Sequence, residues 1–211
     1  MGEVKQMPKD KTASHIKIDL AMKAEFLEKG FAGASIRSIG ERAGMTSAAL
    51  YRHYTNKEDM FSSLVDPLIN DMDTWMERHK AEKYSLVDSQ ADKGVLFGES
   101  FIDMITEVVL PQKDKLILLI NCSQGTKYES FLHDFVEKNQ KDMTNALVYM
   151  RDHGYPAREM SEEEIHMLLS AYLTAIIEPI IHGYSQDKIK SYLCSVNEFF
   201  MPGWKNIMGL S

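Results

Sequence analysis

Apolar residues recur at spacings of three and four positions along nearly the whole chain, the pattern of amphipathic α-helices. The sequence contains no convincing run of alternating apolar and polar residues, which would indicate strands, and no internal repeat. The first apolar stripe predicts a helix over about 12–29. Gly30 should end it, because glycine readily adopts the left-handed backbone of a helix end. The pattern predicts an all-α fold.

The same periodicity predicts a series of helices after residue 56. A long helix capped by Asn56 should run to about residue 79, and Pro67 should kink or split it. Residues 81–93 are polar and are expected to form a linker. Further helices are predicted over about 95–110, 114–122, 127–153, 161–181 and 187–201, with Pro202 ending the last one.

Two short helices with a glycine turn between them are predicted in the segment SIRSIGERAGMTSAALYRHYTNKED. Ser35 is a good N-cap for the first helix, and Gly44 ends it. Thr46 or Ser47 can cap the second. Helix, glycine turn and helix form the helix-turn-helix pattern, whose second helix enters the major groove of DNA.

The stretch IRSIGERAGMTSAALYRHYTNKEDMF resembles the signature of the tetracycline-repressor (TetR) family of transcriptional regulators. By this resemblance Thr46, Ser47 and Ala48 open the recognition helix, and Lys57 opens helix four. Gly40 stands where the family usually has alanine. A glycine inside a helix weakens it by roughly 0.5–1 kcal/mol relative to alanine, so we expect the helix that Ser35 caps to be somewhat loose.

The residue types in this segment indicate contacts with DNA. A helix N-terminus presents amides and hydroxyls to phosphates and base edges, and arginine suits both. Arg52 could instead point to solvent, His53 could be a packing residue, and Tyr54 is expected in the core. DNA contacts are predicted for Arg37, Thr46, Ser47, Ala48, Tyr51, Arg52, His53 and Lys57.

The distribution of charge supports this interpretation, although the chain of 211 residues has a net charge of −7. Residues 1–58 carry 10 Lys+Arg and 7 Asp+Glu, whereas residues 59–211 carry 14 and 24. A basic end on an acidic body suits a protein that presents one face to phosphates. We expect a helix-turn-helix domain over 1–58 and an effector-binding and dimerisation domain over 59–211.

Aromatic residues and methionine are the candidates for a ligand pocket in the second domain. Methionine is frequent, with 14 residues, and its soft side chain suits variable apolar ligands. Glu178 lies in the apolar run IIEPII; it could bind a ligand, pair with His182 or cross a dimer interface. Ligand contacts are predicted for Met72, Trp75, Phe101, Met104, Phe131, Tyr172 and Glu178, each of which could equally be core.

The last two long helices, about 161–182 and 187–201, are apolar on more than one face. The resemblance implies that they form a four-helix homodimer interface; a monomer with an internal helix pair is the alternative. Cys122 and Cys194 lie in apolar stretches and read as reduced core residues. The sequence lacks a signal peptide, a run near 18 apolar residues, metal-ligand spacing and any enzyme motif.

These expectations combine into one hypothesis. The chain would be a cytoplasmic, one-component, ligand-responsive transcriptional regulator, by the resemblance a repressor, that binds a palindromic DNA operator as a homodimer. A small apolar or amphipathic effector would bind the body, with no enzyme activity, cofactor, metal or membrane association. The alternative is a helical ligand-binding or scaffold protein without specific DNA binding.

Overall fold

A computed structural model describes residues 11–90 and 101–210, and their regular secondary structure is entirely helical. The all-α prediction is confirmed. The α-helices are α1 (Lys11–Gly33), α2 (Ile36–Ala43), α3 (Ser47–Leu50), α4 (Lys57–Asp88), α5 (Phe101–Met104), α6 (Lys113–Asn121), α7 (Phe131–Asp152), α8 (Glu162–Ile181) and α9 (Gln186–Ile207). Of the predicted helix 95–110, the part before residue 101 lies outside the described residues.

Local sequence signals set the N-termini of α2, α3 and α4. Ser35 Oγ accepts a hydrogen bond from Ser38 N at 3.1 Å, and Thr46 Oγ1 accepts one from Ala49 N at 3.2 Å. Asn56 Oδ1 accepts one from the backbone at 2.8 Å. These bonds satisfy amides that have no partner inside the helix, so the three predicted caps are confirmed.

The glycines of the N-terminal domain also lie where the backbone requires them. Gly30 has φ 66° and interrupts the helical backbone of α1, and Gly44 has φ 67° after α2. The second predicted helix is shorter than expected, because α3 is a single turn from Ser47 to Leu50. The following residues continue in turns, with the His53 amide donating to the Leu50 carbonyl at 2.9 Å.

The prediction that the long helix ends near residue 79 is wrong, and so is the linker predicted from residue 81. Helix α4 runs without a break from Lys57 to Asp88 and passes through Pro67. Contacts with α7 stabilise the additional turns: Lys80 Nζ lies 2.6 Å from Asp142 Oδ1, and Val87 is buried. Long-range contacts therefore override the polar composition of this segment.

Pro202 does not end the last helix as expected, and the helical turns after α5 also continue through Pro111. After α5 the chain forms a π-helical turn over Ile105–Val109 and a 3₁₀ turn over Leu110–Gln112, and α6 follows directly. Helix α9 continues through Pro202 to Ile207, because Trp204 and Ile207 are buried against the body.

Helices α6 to α9 make up most of the body. Helix α7 begins at Phe131 rather than at residue 127. Hydrogen bonds close the turns before it: the Ser123 hydroxyl donates one, and the Thr126 hydroxyl both donates and accepts one. The predicted capping box at Ser161 and Glu164 is present at the start of α8. Helix α8 contacts α6, α7 and α9.

Helix α8 is long and apolar enough to cross a membrane by length and composition alone, and 44% of its most apolar window is buried within the fold. The expectation that the sequence contains no apolar run of this length is therefore wrong for α8. Its packing against three neighbouring helices buries one side of it in the body.

The two cysteines differ in environment. Cys122 is buried, and burial raises the pKa of its thiol. Cys194 is exposed on α9, so the expectation that it is a core residue is wrong.

The N-terminal helices pack directly on the body. The rings of Phe26 and Phe31 both contact Phe61 of α4, at centroid distances of 5.2 and 5.6 Å. The Phe31 amide donates to the Cys122 carbonyl at 2.8 Å. Lys23 of α1 pairs with Asp114 of α6 at 2.8 Å. Direct contacts therefore join α1 to both α4 and α6.

Candidate nucleic-acid interface and body cavity

The turn between α2 and α3 is tight enough to require a glycine on its inner side. The Met45 amide donates to the Gly40 carbonyl at 2.8 Å. A Cβ atom built on Gly40 would lie 2.8 Å from the Met45 carbonyl oxygen, closer than carbon and oxygen atoms pack. Gly40 was expected to loosen α2; the geometry indicates instead that it lets the turn approach the helix.

Most of the residues predicted to contact DNA are exposed. Thr46, Ala48, Tyr51, Arg52 and His53 are exposed, whereas Leu50 between them is fully buried. The buried leucine anchors the single turn of α3 and leaves its polar neighbours facing outward. Ser47 is half-buried. Tyr54 is buried, as expected, and its hydroxyl donates to Asp19 Oδ1 at 3.2 Å.

Arg37 and Lys57 differ in how their charges are held. The Arg37 side chain is 87% exposed and pairs with Glu41 at 3.0 Å, so breaking this ion pair costs little free energy. The Lys57 ammonium donates to the carbonyls of Phe31 and Ala34 at 2.7 and 3.1 Å and lies 4.4 Å from the Phe31 ring. Lys57 thus ties α4 to the loop after α1, a role that the sequence did not suggest.

A buried carboxylate holds α1 against α2. Glu25 is fully buried and accepts hydrogen bonds from Lys29 at 2.9 Å, Ser38 at 2.7 Å and Arg42 at 2.9 Å. Burial alone would raise its pKa, but the hydrogen bonds from Lys29 and Ser38 outweigh burial and lower the pKa to about 2. The carboxylate is therefore charged at neutral pH and cross-links the two helices.

Sequence analysis missed Glu25, although a signal was present. The residue follows Ile18 and Met22 at helical spacing, so it lies on the apolar stripe of α1. A charged residue on a buried stripe requires partners, and the basic residues on α1 and α2 supply them.

The body contains a cavity of about 270 Å³ between α4, α5, α7, α8 and α9. Of the seven predicted ligand residues, Trp75, Phe101 and Tyr172 line it. Residues that sequence analysis did not select complete the wall: Met76, Glu77, His79, Lys80, Lys83, Tyr84, Val87, Asn139, Asp142, Met143, Ala146, Tyr149, Met150, Leu169, Met201, Trp204, Met208 and Leu210. Lys80, Lys83, Tyr84, Val87, Trp204, Met208 and Leu210 lie beyond the predicted ends of their helices, and the others lie within predicted helices.

The other four predicted ligand residues lie outside this wall. Met72 and Met104 are buried in the core, and Phe131 stacks on Phe135 with centroids 5.9 Å apart. Glu178 is half-buried and lies 2.7 Å from His182, which is the pairing that the sequence had left open.

One side of α8 and α9 is apolar and exposed. Met167 and Leu168 on α8 are 67% and 38% exposed, and Tyr192 and Phe199 on α9 are 42% and 79% exposed. The other side of each helix is buried in the body. Exposed apolar residues clustered on two adjacent helices are typical of a protein interface.

Comparison with known proteins gives a match at the N-terminal domain. The sequence model described as bacterial regulatory proteins, tetR family, matches residues 19–64. Over 61 residues the chain is 31% identical to IcaR of Staphylococcus epidermidis, named as an HTH-type negative transcriptional regulator of the biofilm operon icaADBC. This match covers 29% of the present chain and 33% of that protein, so the chain spans about a third of the length of this curated relative.

Solved structures resemble the chain over most of its length but only distantly. NalD of Pseudomonas aeruginosa, the secondary repressor of the MexAB-OprM multidrug efflux pump, has 18% identity and a TM-score of 0.45, covering 93% of this chain and 97% of NalD. A TetR-family regulator from Mesorhizobium loti has 13% identity and a TM-score of 0.39, covering 92% and 98%.

Proposed function

Residues 19–64 belong to the tetR family of bacterial regulatory proteins, and from that premise we propose that this chain is a DNA-binding transcriptional repressor. The observation that carries the proposal is the surface of α3 and the turn after it. There Thr46, Ala48, Tyr51, Arg52 and His53 are exposed, and Leu50 beneath them is buried in the N-terminal helices, which we call the head. We propose residues 1–58 as the DNA-binding domain and 59–211 as the regulatory domain.

Each exposed residue has a chemical role in this proposal. Thr46 and Ser47, at the N-terminus of α3, meet phosphate or base edges through amides and hydroxyls. Ala48 allows close approach, and its methyl group can meet a thymine methyl. Arg52 contacts a base edge or a phosphate, because its planar guanidinium suits both.

The remaining predicted contacts lie around this centre. Arg37 binds a phosphate after leaving Glu41, and Tyr51 and His53 contact the backbone on either side of Arg52. The phosphate contact of Lys57 stays a prediction, since its ammonium already has carbonyl partners; these partners support an additional role in orienting the head on α4.

The active form in this proposal is a homodimer joined through α8 and α9. The exposed apolar residues of these two helices support such an interface. Two heads related by a two-fold axis would bind a palindromic operator, with half-site centres separated by about one DNA turn or a multiple, ~34–36 Å per turn.

The cavity is the proposed effector site. Helix α4 begins beside the loop after α1 and carries Trp75 and Lys80 on the cavity wall more than four turns later. A small apolar or amphipathic ligand that binds better to the DNA-free arrangement would release the operator, because only a difference in affinity shifts an equilibrium. We propose a cytoplasmic location, and the proposal includes no catalytic reaction, cofactor or metal.

Replacement of one arginine tests the DNA surface. Arg52→Ala should weaken operator binding and reduce its salt dependence by about one counterion, because a phosphate or base contact of that charge is lost. Arg78→Ala is the matched control: it removes another exposed arginine, on α4, and should leave both quantities unchanged.

Equal effects of the two replacements would contradict the assignment of the surface. They would favour the alternative, a helical ligand-binding protein without specific DNA binding.

A further inference from the structure

The cavity in the body is built mainly from flat rings and methionine side chains. Trp75 and Trp204 both line it, and the Trp75 ring is stacked on His79 with centroids 3.5 Å apart and an interplanar angle of 14°. Aromatic walls of this kind favour an aromatic ligand in stacked or edge-to-face contact. The volume of about 270 Å³ lies just below the usual lower limit of ~300 Å³ for ligand pockets, so the ligand is small.

The charged residues of the cavity balance one another. Lys80 is paired with Asp142 at 2.6 Å, and Glu77 and Lys83 are the other two acidic and basic side chains on the wall. Two cationic and two anionic groups leave no excess of either sign. A charged ligand would lose its hydration without gaining a dedicated counter-ion, so the cavity favours an uncharged one.

One polar side chain is buried on the wall. Asn139 of α7 is 5% exposed, and its Nδ2 donates to the Phe135 carbonyl at 2.7 Å. Because a carbonyl oxygen only accepts, this bond fixes which end of the amide is nitrogen. Oδ1 is the remaining end, and no donor among the described residues reaches it. Among the described residues Oδ1 is not one of the fully enclosed polar atoms without a partner, so it keeps accessible surface, and a donor on the ligand can satisfy it.

A second polar group of the wall residues is enclosed by the protein. The Trp204 Nε1–H has no acceptor within residues 11–90 and 101–210. It is a donor, whereas Asn139 Oδ1 is an acceptor. Because this nitrogen is fully enclosed, the ligand chemistry follows from Asn139 Oδ1, and a hydroxyl is the smallest uncharged group that can donate to it.

We infer that the cavity selects small, uncharged aromatic compounds with a hydroxyl donor, such as alkylphenols, and that Asn139 Oδ1 accepts the hydrogen bond from that hydroxyl. The inference deepens the proposed function, because it takes the cavity as the effector site. It makes Asn139 a specificity-determining residue: apolar contacts hold the ring, and the amide oxygen distinguishes a phenol from an ether of similar shape.

A pair of probes tests the inference on the full-length protein. The probes are 4-tert-butylphenol and 4-tert-butylanisole, which differ in that the ether cannot donate. The chain has two tryptophans, and both line the cavity, so tryptophan fluorescence reports binding directly, with calorimetry as an independent measurement. The wild type should bind the phenol about tenfold more tightly, because the ether leaves Oδ1 unpaired.

Two variants separate the hydrogen bond from the packing of the wall. Asn139→Leu removes the acceptor, so the preference for the phenol should fall about tenfold, to near equality of the two probes. Met143→Leu alters the same helix without changing its hydrogen bonding. It should shift both affinities together and keep their ratio.

Three outcomes would overturn the inference: equal binding of the probes to the wild type, an unchanged ratio in Asn139→Leu, or no binding of either probe up to its solubility limit. The first and third outcomes are measured on the wild type and do not depend on whether a variant folds. Failure of the proposed function would give a different result: the phenol would bind with the expected preference, but the protein would not bind operator DNA.

Discussion

The buried carboxylate of Glu25 gives the sharpest prediction about what holds the DNA-binding head together. Replacing it by glutamine keeps the shape of the side chain but removes the negative charge that Lys29 and Arg42 contact. The two helices would then meet across two cations and a neutral amide. The expected result is a less stable head, although the surface that faces DNA is unchanged in sequence.

The magnitude follows from the pKa. A carboxylate whose pKa falls from 4.5 to about 2 on folding stabilises the folded state by about 3 kcal/mol at neutral pH, at about 1.4 kcal/mol per pKa unit. Lys29 and Arg42 are 39% and 35% exposed, so solvent screens part of this interaction. We expect Glu25→Gln to lower the free energy of unfolding by about 2 kcal/mol.

The dependence on pH is a second part of the same prediction. Because the folded-state pKa is depressed, the stabilisation is fully present above the unfolded-state value of 4.5 and is lost as the pH falls from there towards about 2. Wild type and Glu25→Gln should therefore differ at pH 7 and converge in acid. Denaturant unfolding gives the difference, and hydrogen exchange of the α2 amides locates it in the head.

A matched control is available on the neighbouring helix. Glu41→Gln removes a carboxylate that is 66% exposed and pairs only with exposed Arg37, so it should change stability by less than about 0.5 kcal/mol. Equal stability of Glu25→Gln and wild type at pH 7 would refute the reasoning. So would a difference that persists unchanged at low pH.

Three further predictions concern the turn between α2 and α3, the contacts of Lys57, and the exposed side of α9. Gly40→Ala should destabilise the protein by about 1 kcal/mol in urea unfolding, because the added Cβ would meet the Met45 carbonyl. Gly203→Ala, with open space around it in α9, should instead stabilise the protein by about 0.5–1 kcal/mol. A change of the same sign in the free energy of unfolding for both variants would contradict this reasoning. Lys57→Met should lower the thermal midpoint by several degrees, since two half-buried carbonyl contacts and one exposed contact are lost, and an unchanged midpoint would show that they contribute nothing. Phe199→Ser should weaken the dimer at least tenfold in sedimentation measurements; unchanged association would exclude this part of α9 from the interface.

The sequence alone was sufficient for features that depend on neighbouring residues. The caps at Ser35, Thr46 and Asn56 and the positive φ of Gly44 involve contacts within four residues, so the local sequence determines them. The exposure of the α3 surface follows from the same periodicity, since Leu50 must point inward for the single turn to be anchored.

Features that depend on distant residues could not be predicted in this way. Helix α4 continues past residue 79 because Lys80 meets Asp142, which lies 62 positions further along the chain. Helix α9 continues past Pro202 because Trp204 packs into the body.

The wall of the cavity is likewise a property of the fold. Asn139 looks like a surface residue of an amphipathic helix until α4 and α8 are placed around it. Periodicity identified only those members of the wall that are also conspicuous apolar residues, such as Trp75.

Binding of the purified protein to DNA tests the central claim most directly. The titration compares the intergenic DNA upstream of its own gene with unrelated DNA of equal length, at two salt concentrations. The account predicts much tighter binding to the upstream fragment, with a preference that survives at the higher salt, because base contacts persist where phosphate contacts are screened. Equal binding to both fragments that disappears at the higher salt would contradict it.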